Sequence, residues 1–148
     1  MPSDAARHDI IAIAADHAGF ELKEILKEAL RARGCEVLDL GAYTPESVDY
    51  PDYGHAMGAA IKDGRAARGV IICGTGIGIS MAANRHPSVR AALCHDGLTA
   101  RLARQHNDAN VLALGARIIG VEVARDCLDN FLNTDFEGGR HARRVAKI

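Results

Sequence analysis

The stretch that decides how this chain folds is IICGTGIGIS, residues 71–80. It places a thiol, Cys73, at the end of an apolar run and follows it with Gly74, Gly76 and Gly78. Glycines let the backbone turn tightly and leave its N–H groups open, and a helix expected directly after them adds its positive N-terminal dipole. The pattern therefore predicts a strand, an anion-binding turn and a helix, with the thiol beside a row of N–H donors.

Two common nucleotide-binding motifs fit this loop poorly. A P-loop ends in Gly-Lys-Ser/Thr, and no lysine occurs in Ile77-Gly78-Ile79. A dinucleotide fingerprint needs its third glycine where Ile79 stands, although Asp96 imitates its acidic ribose ligand. A cysteine beside N–H donors suits an enzyme that removes a proton and stabilises the resulting oxyanion. The alternative is a cysteine that is merely buried at a strand end.

Composition limits the classes of function. The chain has 148 residues, 48% of them hydrophobic, which predicts one domain over residues 1–148 with a two-sided core. A formal charge of -1 and 4% aromatic residues give no reason to expect nucleic acid or an anionic membrane as partner. No run approaches the roughly 18 apolar residues of a membrane helix. Residues 1–9 carry acids where a signal peptide needs a basic start, so a cytoplasmic location is expected.

The cysteines and histidines show no metal-binding spacing. The four cysteines are Cys35, Cys73, Cys94 and Cys127. No Cys-x-x-Cys pair occurs among them, so the sequence offers neither a zinc knuckle nor a thioredoxin motif, and three are expected in the core. Other histidines, expected at the surface or in packing, are His55, His86, His95 and His141. The sequence therefore predicts no metal and no cofactor.

Apolar runs and helical periods alternate along the chain without a break long enough for a linker. Strands are predicted at 10–15, 36–40, 69–73, 89–94 and 110–114, and helices at 22–30, 53–65, 77–84, 97–105 and 121–131, before a basic tail. Short β-α connections imply right-handed crossovers. The predicted fold class is α/β: a three-layer α/β/α Rossmann-like domain with a five-stranded parallel sheet. Its ligands bind at the carboxyl ends of strands, where Asp16, His17 and Cys73 fall.

Six short motifs span nearly the whole chain. They are Ala15–Phe20, Asp49–Pro51, Cys73–Gly78, Arg104–Asp108, Gly115–Arg117 and Gly138–His141. In this order they resemble ribose-5-phosphate isomerase of type B and its relatives, the galactose-6-phosphate and allose-6-phosphate isomerases. The resemblance implies a metal-free homodimer or homotetramer that interconverts ribose 5-phosphate and ribulose 5-phosphate in the pentose phosphate pathway. Alternatives are a six-carbon sugar phosphate as substrate, since Cys94–Gly97 could adjust substrate length, and a non-catalytic nucleotide-binding module.

The implied isomerisation opens a furanose ring, removes the C2 proton, passes through an enediolate and reprotonates C1. Cys73 is the candidate base, because a thiol at a helix N-terminus ionises readily. Backbone N–H groups of residues 74–78 would hold the enediolate oxygen, an effect worth about 10²–10³ in rate per donor. Thr75 can bond a substrate hydroxyl or cap the loop. His106 suits ring opening, because imidazole gives and takes protons near neutrality.

Binding residues are assigned mainly from the resemblance. The substrate-binding set is Asp16, His17, Gly74, Gly76, Ile77, Gly78 and Asn107. The phosphate-binding set is His17, Arg117, Arg140 and Arg144, and the arginine fork matches phosphate oxygens two at a time. A solvated basic tail is the alternative for the last two. Asp16 would orient a sugar hydroxyl or polarise His17, and Asp49 would lie near the base.

His106 and the C-terminal arginines are expected to lie far from Cys73 within one subunit. In a β-α unit the helix runs from the active edge of the sheet to the opposite edge, about 14 Å for nine residues. His106 follows the fourth predicted helix, and Arg140 and Arg144 follow the fifth, whereas Cys73 and Arg117 follow strands. A twofold partner is therefore predicted to complete the site, as the resemblance also implies.

Overall fold

Five strands and six helices make up the part of the chain that the computed structural model describes, residues 9–148. The strands are β1 (Ile10–Ala15), β2 (Glu36–Asp39), β3 (Arg68–Cys73), β4 (Ala91–Leu93) and β5 (Val111–Gly115). The helices are α1 (Phe20–Ala32), α2 (Tyr50–Lys62), α3 (Ile77–Ala83), α4 (Gly97–Asn107), α5 (Val121–Asn133) and α6 (Arg140–Val145). The first eight residues, which bear on the expectation of no signal peptide, lie outside this description. Among residues 9–148, none of the helices has the length and apolar character needed to span a bilayer.

The strands form one parallel sheet in the order β2-β1-β3-β5-β4, which confirms the predicted five-stranded parallel sheet. Because β5 lies between β3 and β4, β4 is an edge strand with one neighbour. It covers 91–93, although the apolar pattern predicted 89–94. Asn84 bonds both backbone polar groups of Ala91, accepting from its N–H at 2.8 Å and donating to its carbonyl at 3.0 Å. This side chain occupies backbone groups that an edge strand otherwise exposes.

Helices cover both faces of the sheet, which gives the predicted three layers. One face carries α1, α4 and α5, with Leu26 and Phe131 wholly buried in its core. The other face carries α2 and α3, with Met57 and Ile79 buried against the sheet. Since the sheet is covered on both sides, its central strands are almost wholly apolar. That residues 1–148 form a single domain stays a prediction.

Two helices differ from the sequence expectations. The basic tail contains a helix that was not predicted: residues 140–145 form α6, and His141 within it is buried, at 8% exposure. Helix α2 begins at Tyr50 rather than Tyr53. Pro51 occupies the first turn of that helix, where proline's missing N–H has no intrahelical partner to lose.

The topology places a crevice at the carboxyl ends of β1 and β3. From β1 the chain continues through α1 on one face, and from β3 it continues through α3 on the other. The loops after these adjacent strands therefore diverge to opposite sides of the sheet. Open α/β sheets bind their ligands in such a crevice.

Candidate active site

A cleft of about 430 Å³ opens at this edge of the sheet, beside the ends of β1, β3 and β5. The residues that line it are Asp16, His17, Ala18, Tyr50, Cys73, Gly74, Thr75, Ile77, Gly78, Met81 and Arg117. Eight of the candidate site residues chosen from the sequence thus meet in one place. They come from three separate β-α connections, which the parallel sheet brings side by side.

Cys73 ends β3 and contributes its thiol to the cleft. Its Sγ accepts a hydrogen bond from the backbone N–H of Gly76 at 3.1 Å. An N–H aimed at sulfur is the kind of donor that a thiolate accepts, so this contact suits a proton-accepting role. The other cysteines are also free thiols, and burial raises the pKa of Cys94 to about 11 and that of Cys127 to about 12. Those two thiols stay protonated at neutral pH, as core residues should.

The loop that follows Cys73 requires glycine at two places. Gly76 has φ of +77°, and a Cβ there would lie 2.5 Å from Leu93 Cδ1. A Cβ at Gly78 would lie 2.5 Å from the Tyr50 ring. Any larger residue at these positions would displace the loop or the neighbouring side chain, so the close approach of the backbone depends on both glycines.

Some backbone N–H groups of the loop already donate a hydrogen bond within the protein, and others have no acceptor in the part of the chain that the structure describes. The N–H of Gly76 donates to Cys73 Sγ, and that of Ile77 donates to Thr75 Oγ1 at 3.2 Å. Both bonds brace the loop, and the predicted role of these two N–H groups in holding a substrate oxygen stays a prediction. The N–H groups of Gly74, Thr75 and Gly78 have no hydrogen-bond partner within residues 9–148. These three remain for a ligand oxygen.

Asp16 and His17 follow β1, and a backbone N–H fixes each side chain. Asp16 Oδ1 accepts from the N–H of Gly19 at 3.1 Å and so holds the turn before α1. His17 Nδ1 accepts from the N–H of Val48 at 3.2 Å. This bond places the imidazole proton on Nε2, which can then donate to an anion. Val48, rather than Asp16, thus orients the His17 ring, and a sugar hydroxyl stays the predicted partner of Asp16.

Arg117 and Thr75 add side-chain donors to the backbone donors of the loop. The backbone N–H of Arg117 donates to the Gly74 carbonyl at 2.9 Å. Its guanidinium borders the same residue, because a Cβ on Gly74 would lie 3.2 Å from Nη1. The hydroxyl oxygen of Thr75 accepts a hydrogen bond from the Ile77 N–H, and its hydroxyl hydrogen is free to donate. A guanidinium and a hydroxyl donor therefore stand beside the free N–H groups.

The remaining candidates lie elsewhere. A second cavity, of about 370 Å³, is lined by His106, Asn107, His141, Arg144, Val145 and Ile148. Arg140 begins helix α6, and His106 lies within the last turn of α4 rather than past its end. The two cavities share no lining residue. One copy of the chain therefore does not bring His106 to Cys73.

Glu137, between α5 and α6, joins His106 and His141 in a cluster that the sequence analysis missed. Its Oε1 lies 3.6 Å from His106 Nε2 and 3.7 Å from His141 Nε2. The donor types are those of a zinc site, but the two imidazole rings are stacked, with centroids 4.4 Å apart and 13° between planes. An ion about 2.1 Å from both nitrogens would have to lie in both ring planes. Stacked planes do not meet there, so this arrangement does not fit a metal.

Three residues of the cleft were not among the candidates: Ala18, Tyr50 and Met81. Tyr50 packs its ring against Gly78, and Met81 lines the cleft with 66% of its surface exposed. The motif Asp49–Pro51 carried a signal for Tyr50, but the sequence analysis placed Asp49 near the base. Asp49 instead precedes α2 as its N-cap and is not among the residues that line the cleft. Tyr50, the neighbour of Asp49, is the residue of this motif that lines the cleft, and a place for Asp49 near the base stays a prediction.

The fold and cleft define a class of protein: an α/β enzyme that carries out proton-transfer chemistry on a small anionic substrate. A thiol can act as a base, free backbone N–H groups can stabilise negative charge, and the side chains of His17 and Arg117 can donate to an anion. A dinucleotide site does not fit. Asp96, the counterpart of an acidic ribose ligand, accepts from the N–H of Thr99 at 2.7 Å and caps α4.

Comparisons with known proteins point to one family. Residues 11–148 match the family model described as Ribose/Galactose Isomerase. Ribose-5-phosphate isomerase B of Escherichia coli strain K12 is 46% identical over 138 residues, which is 93% of each chain. D-erythrulose-4-phosphate isomerase of Pectobacterium atrosepticum is 45% identical over 140 residues, 93% of this chain and 91% of that one. The solved ribose 5-phosphate isomerase of Thermotoga maritima is 54% identical with a TM-score of 0.92, over 95% of this chain and 97% of that one.

The chain belongs to the ribose/galactose isomerase family. This confirms the resemblance drawn from the six sequence motifs, and with it the expectation of an enzyme that isomerises sugar phosphates. The alternative of a non-catalytic nucleotide-binding module finds no support among these relatives.

Proposed function

We propose that this enzyme interconverts ribose 5-phosphate and ribulose 5-phosphate through an enediolate. One observation carries the proposal: the Cys73 thiol, three free N–H groups and the donors His17 and Arg117 face the same cleft. The relatives from Escherichia coli and Thermotoga maritima bear the name of this activity. A five-carbon aldose phosphate offers each of these groups a partner.

The proton transfer is assigned to Cys73. The thiolate takes the C2 proton of the open-chain aldose, and the electron pair of the C–H bond moves to form the enediolate. The charged oxygen then accepts hydrogen bonds from the N–H groups of Gly74 and Thr75, which need no reorganisation because the loop already presents them. The hydroxyl proton on O2 then moves to O1, and the proton on sulfur is delivered to C1, which leaves the carbonyl at C2 and gives the ketose. Each proton and electron pair is thereby accounted for within substrate and thiol.

The phosphate is assigned to the other side of the cleft. His17 presents its Nε2 proton, fixed by the bond from Val48 to Nδ1. Arg117 adds a guanidinium, whose paired N–H groups can donate to two phosphate oxygens at once. A phosphate held here places the rest of the sugar along the glycine loop, towards Cys73.

We further propose that the enzyme is a homodimer or homotetramer with shared sites. Residues His106, Asn107 and Arg144 line the cavity that one chain keeps apart from its own Cys73. A twofold partner that lays this cavity over the cleft would add His106 for ring opening and Asn107 for substrate oxygens. Arg140 and Arg144 would then complete the phosphate site. The supporting observation is that each cavity alone holds half of the groups that the reaction needs.

A substrate panel tests the proposed function. Among ribose 5-phosphate, allose 6-phosphate and galactose 6-phosphate, we expect the five-carbon sugar to give the highest kcat/KM. An extra carbon between phosphate and C2 moves the reacting atoms along the loop, and such misplacement costs about 10²-fold per ångström. Ketose formation is measured directly, with the Cys73→Ala protein purified in parallel to exclude a contaminating isomerase. A higher kcat/KM for a six-carbon sugar would favour the alternative substrate.

Activity is expected to be independent of divalent metals. The enediolate charge is stabilised by backbone N–H groups and the phosphate by arginine, so no Lewis acid is required. The one cluster with metal-ligand residue types within residues 9–148 does not fit an ion. Prolonged dialysis against EDTA should therefore leave kcat unchanged relative to a sample dialysed without chelator. Loss of activity that a divalent ion restores would contradict this prediction.

We also propose the cytoplasm as the location of the enzyme and the pentose phosphate pathway as its setting. Moving a phosphate dianion through the apolar interior of a bilayer is very costly. Sugar phosphates are therefore confined to the compartment where they form, and their isomerase has to work there. Cell fractionation with an antibody against the chain would check this location.

A further inference from the structure

A segment between α5 and α6 folds back over the end of α4. The backbone N–H of Glu137 donates to the carbonyl oxygen of Gln105 at 3.1 Å. Arg104 Nε donates to the carbonyl oxygen of Thr134 at 3.1 Å. Both bonds use backbone atoms of the segment, so they fix the position of residue 137 whatever its side chain. Glu137 is thereby held beside His106, the residue that follows Gln105.

The carboxylate of Glu137 faces two imidazole rings at nearly equal distance. Its Oε1 lies 3.6 Å from Nε2 of His106 and 3.7 Å from Nε2 of His141. The two rings differ in their access to water, because the His106 side chain is 40% exposed and the His141 side chain 10%. One ring can therefore meet a substrate, whereas the other is part of the packing of α6 against α4.

The cluster favours a proton on only one of its two rings. Two imidazolium charges stacked at 4.4 Å would repel one another. Burial, together with the positive charges of His106, Arg140 and Arg144, lowers the pKa of His141, and the opposing effect of Glu137 does not reverse this. His141 is therefore neutral at pH 7. The Glu137 carboxylate is left to stabilise positive charge on the more exposed ring.

We propose that Glu137 and His141 are positioning residues for His106. The buried ring stacks on His106 and sets its plane, and the carboxylate stabilises the proton that His106 exchanges with the sugar during ring opening. This inference rests on the proposed function of His106, and neither positioning residue needs to touch the reacting atoms. Arg104 does not compete for the carboxylate, because its guanidinium is bonded to Asp108 at 2.9 Å.

Substrate chemistry separates this role from a structural one. Ribose 5-phosphate closes a furanose through its C4 hydroxyl, so its isomerisation begins with ring opening. In erythrose 4-phosphate that hydroxyl carries the phosphate, so the sugar has no furanose form and needs only proton transfer. One relative is a D-erythrulose-4-phosphate isomerase, which makes the four-carbon sugar a suitable probe. A defect in ring opening slows the five-carbon substrate alone, whereas a distorted site slows both.

Glu137→Gln removes the charge and keeps both the side-chain size and the backbone bond to Gln105. We expect kcat/KM for ribose 5-phosphate to fall about 10- to 100-fold, the effect of a misplaced catalytic group. We expect kcat/KM for erythrose 4-phosphate to change little. His141→Asn should show the same selectivity. The matched control is Glu122→Gln on α5, whose side chain is 89% exposed, and it should leave both values unchanged.

Equal losses with the two sugars, or no loss with ribose 5-phosphate, would overturn the positioning role. If the wild-type enzyme turns over erythrose 4-phosphate too slowly to measure, the split between kcat and KM for ribose 5-phosphate decides. A defect in ring opening lowers kcat and leaves KM unchanged, whereas a displaced α6 would move Arg144 and raise KM. A raised KM with an unchanged kcat would overturn the proposal. A wild-type enzyme inactive on ribose 5-phosphate would instead contradict the proposed function, which the first assay reveals.

Discussion

Replacing Cys73 with alanine is expected to lower kcat about 10²–10⁴-fold, the range for loss of a general base. The substitution removes the acceptor of the C2 proton. Contacts of the phosphate with His17 and Arg117 remain, so KM should stay close to the wild-type value. Steady-state kinetics with ribose 5-phosphate measure both quantities. A near-normal kcat would exclude Cys73 as the base.

A serine at the same position separates acid-base chemistry from packing. Cys73→Ser keeps a side chain of similar shape that can still accept from the Gly76 N–H. A hydroxyl ionises far less readily than a thiol, so the loss of kcat should be nearly as large as with alanine. The control is Cys35→Ser, at a partly buried cysteine directly before β2 and outside the cleft. It should retain wild-type kcat.

Alkylation with iodoacetamide should identify Cys73 as the reactive thiol of the active site without any mutation. Burial raises the pKa of Cys35, raises that of Cys94 to about 11 and raises that of Cys127 to about 12. At pH 7 these three thiols are therefore poor nucleophiles, and Cys73 should be alkylated first with a parallel loss of activity. Bound sugar phosphate should protect it. Peptide mass spectrometry identifies the modified residue, and labelling of another cysteine without inactivation would contradict the assignment.

Local patterns in the sequence were sufficient to predict the five strands and the first five helices of the fold. Apolar runs such as 69–73 and helical periods such as that of α1 arise from burial against a single sheet, and they can be recognised within a short window. The loop after Cys73 was equally accessible, because the positive φ of Gly76 is a local requirement of the turn itself. The residues that follow β1, β3 and β5 then had to share one edge, since all strands are parallel.

Contacts between distant segments could not be predicted in the same way. Lys23 lies on α1 among leucines, yet its side chain is wholly buried and donates to both carboxylate oxygens of Asp39 at 2.8 Å. Nothing local to Lys23 indicates that partner. The stacking of His106 on His141 likewise depends on how α6 packs against α4, and the position of β5 between β3 and β4 depends on tertiary packing.

Site roles were hardest to predict where one residue type serves two purposes. Aspartate and threonine bind substrates, but they also accept hydrogen bonds from backbone N–H groups at turns and helix starts. Asp16 and Asp96 both make such bonds, to Gly19 and Thr99. Their positions after β1 and β4 place both residues at the same edge of the sheet but do not distinguish the two uses. The observed bonds assign a structural role to Asp96, and they leave Asp16 one further oxygen for a ligand.

Mixing two inactive variants, Cys73→Ala and His106→Ala, is expected to restore roughly a quarter of wild-type activity. In one chain α4 begins at the active edge of the sheet and carries His106 away from it, about 15 Å along the helix axis. A site that uses both residues must therefore take them from two subunits. Random exchange makes about half of the dimers mixed, and each mixed dimer has one site with neither defect.

The control mixture pairs Cys73→Ala with Arg117→Ala, two defects that lie in the same cleft. Here every cleft carries one defect whichever subunits combine, so no activity should return. Native mass spectrometry of subunits with different masses verifies that exchange has occurred in both mixtures. If exchange is complete and the first mixture stays as inactive as the control, His106 and Cys73 of the same subunit act on the same substrate molecule. The prediction of a shared site would then be wrong, and His106 would have to reach the cleft of its own subunit, from which the structure keeps it apart.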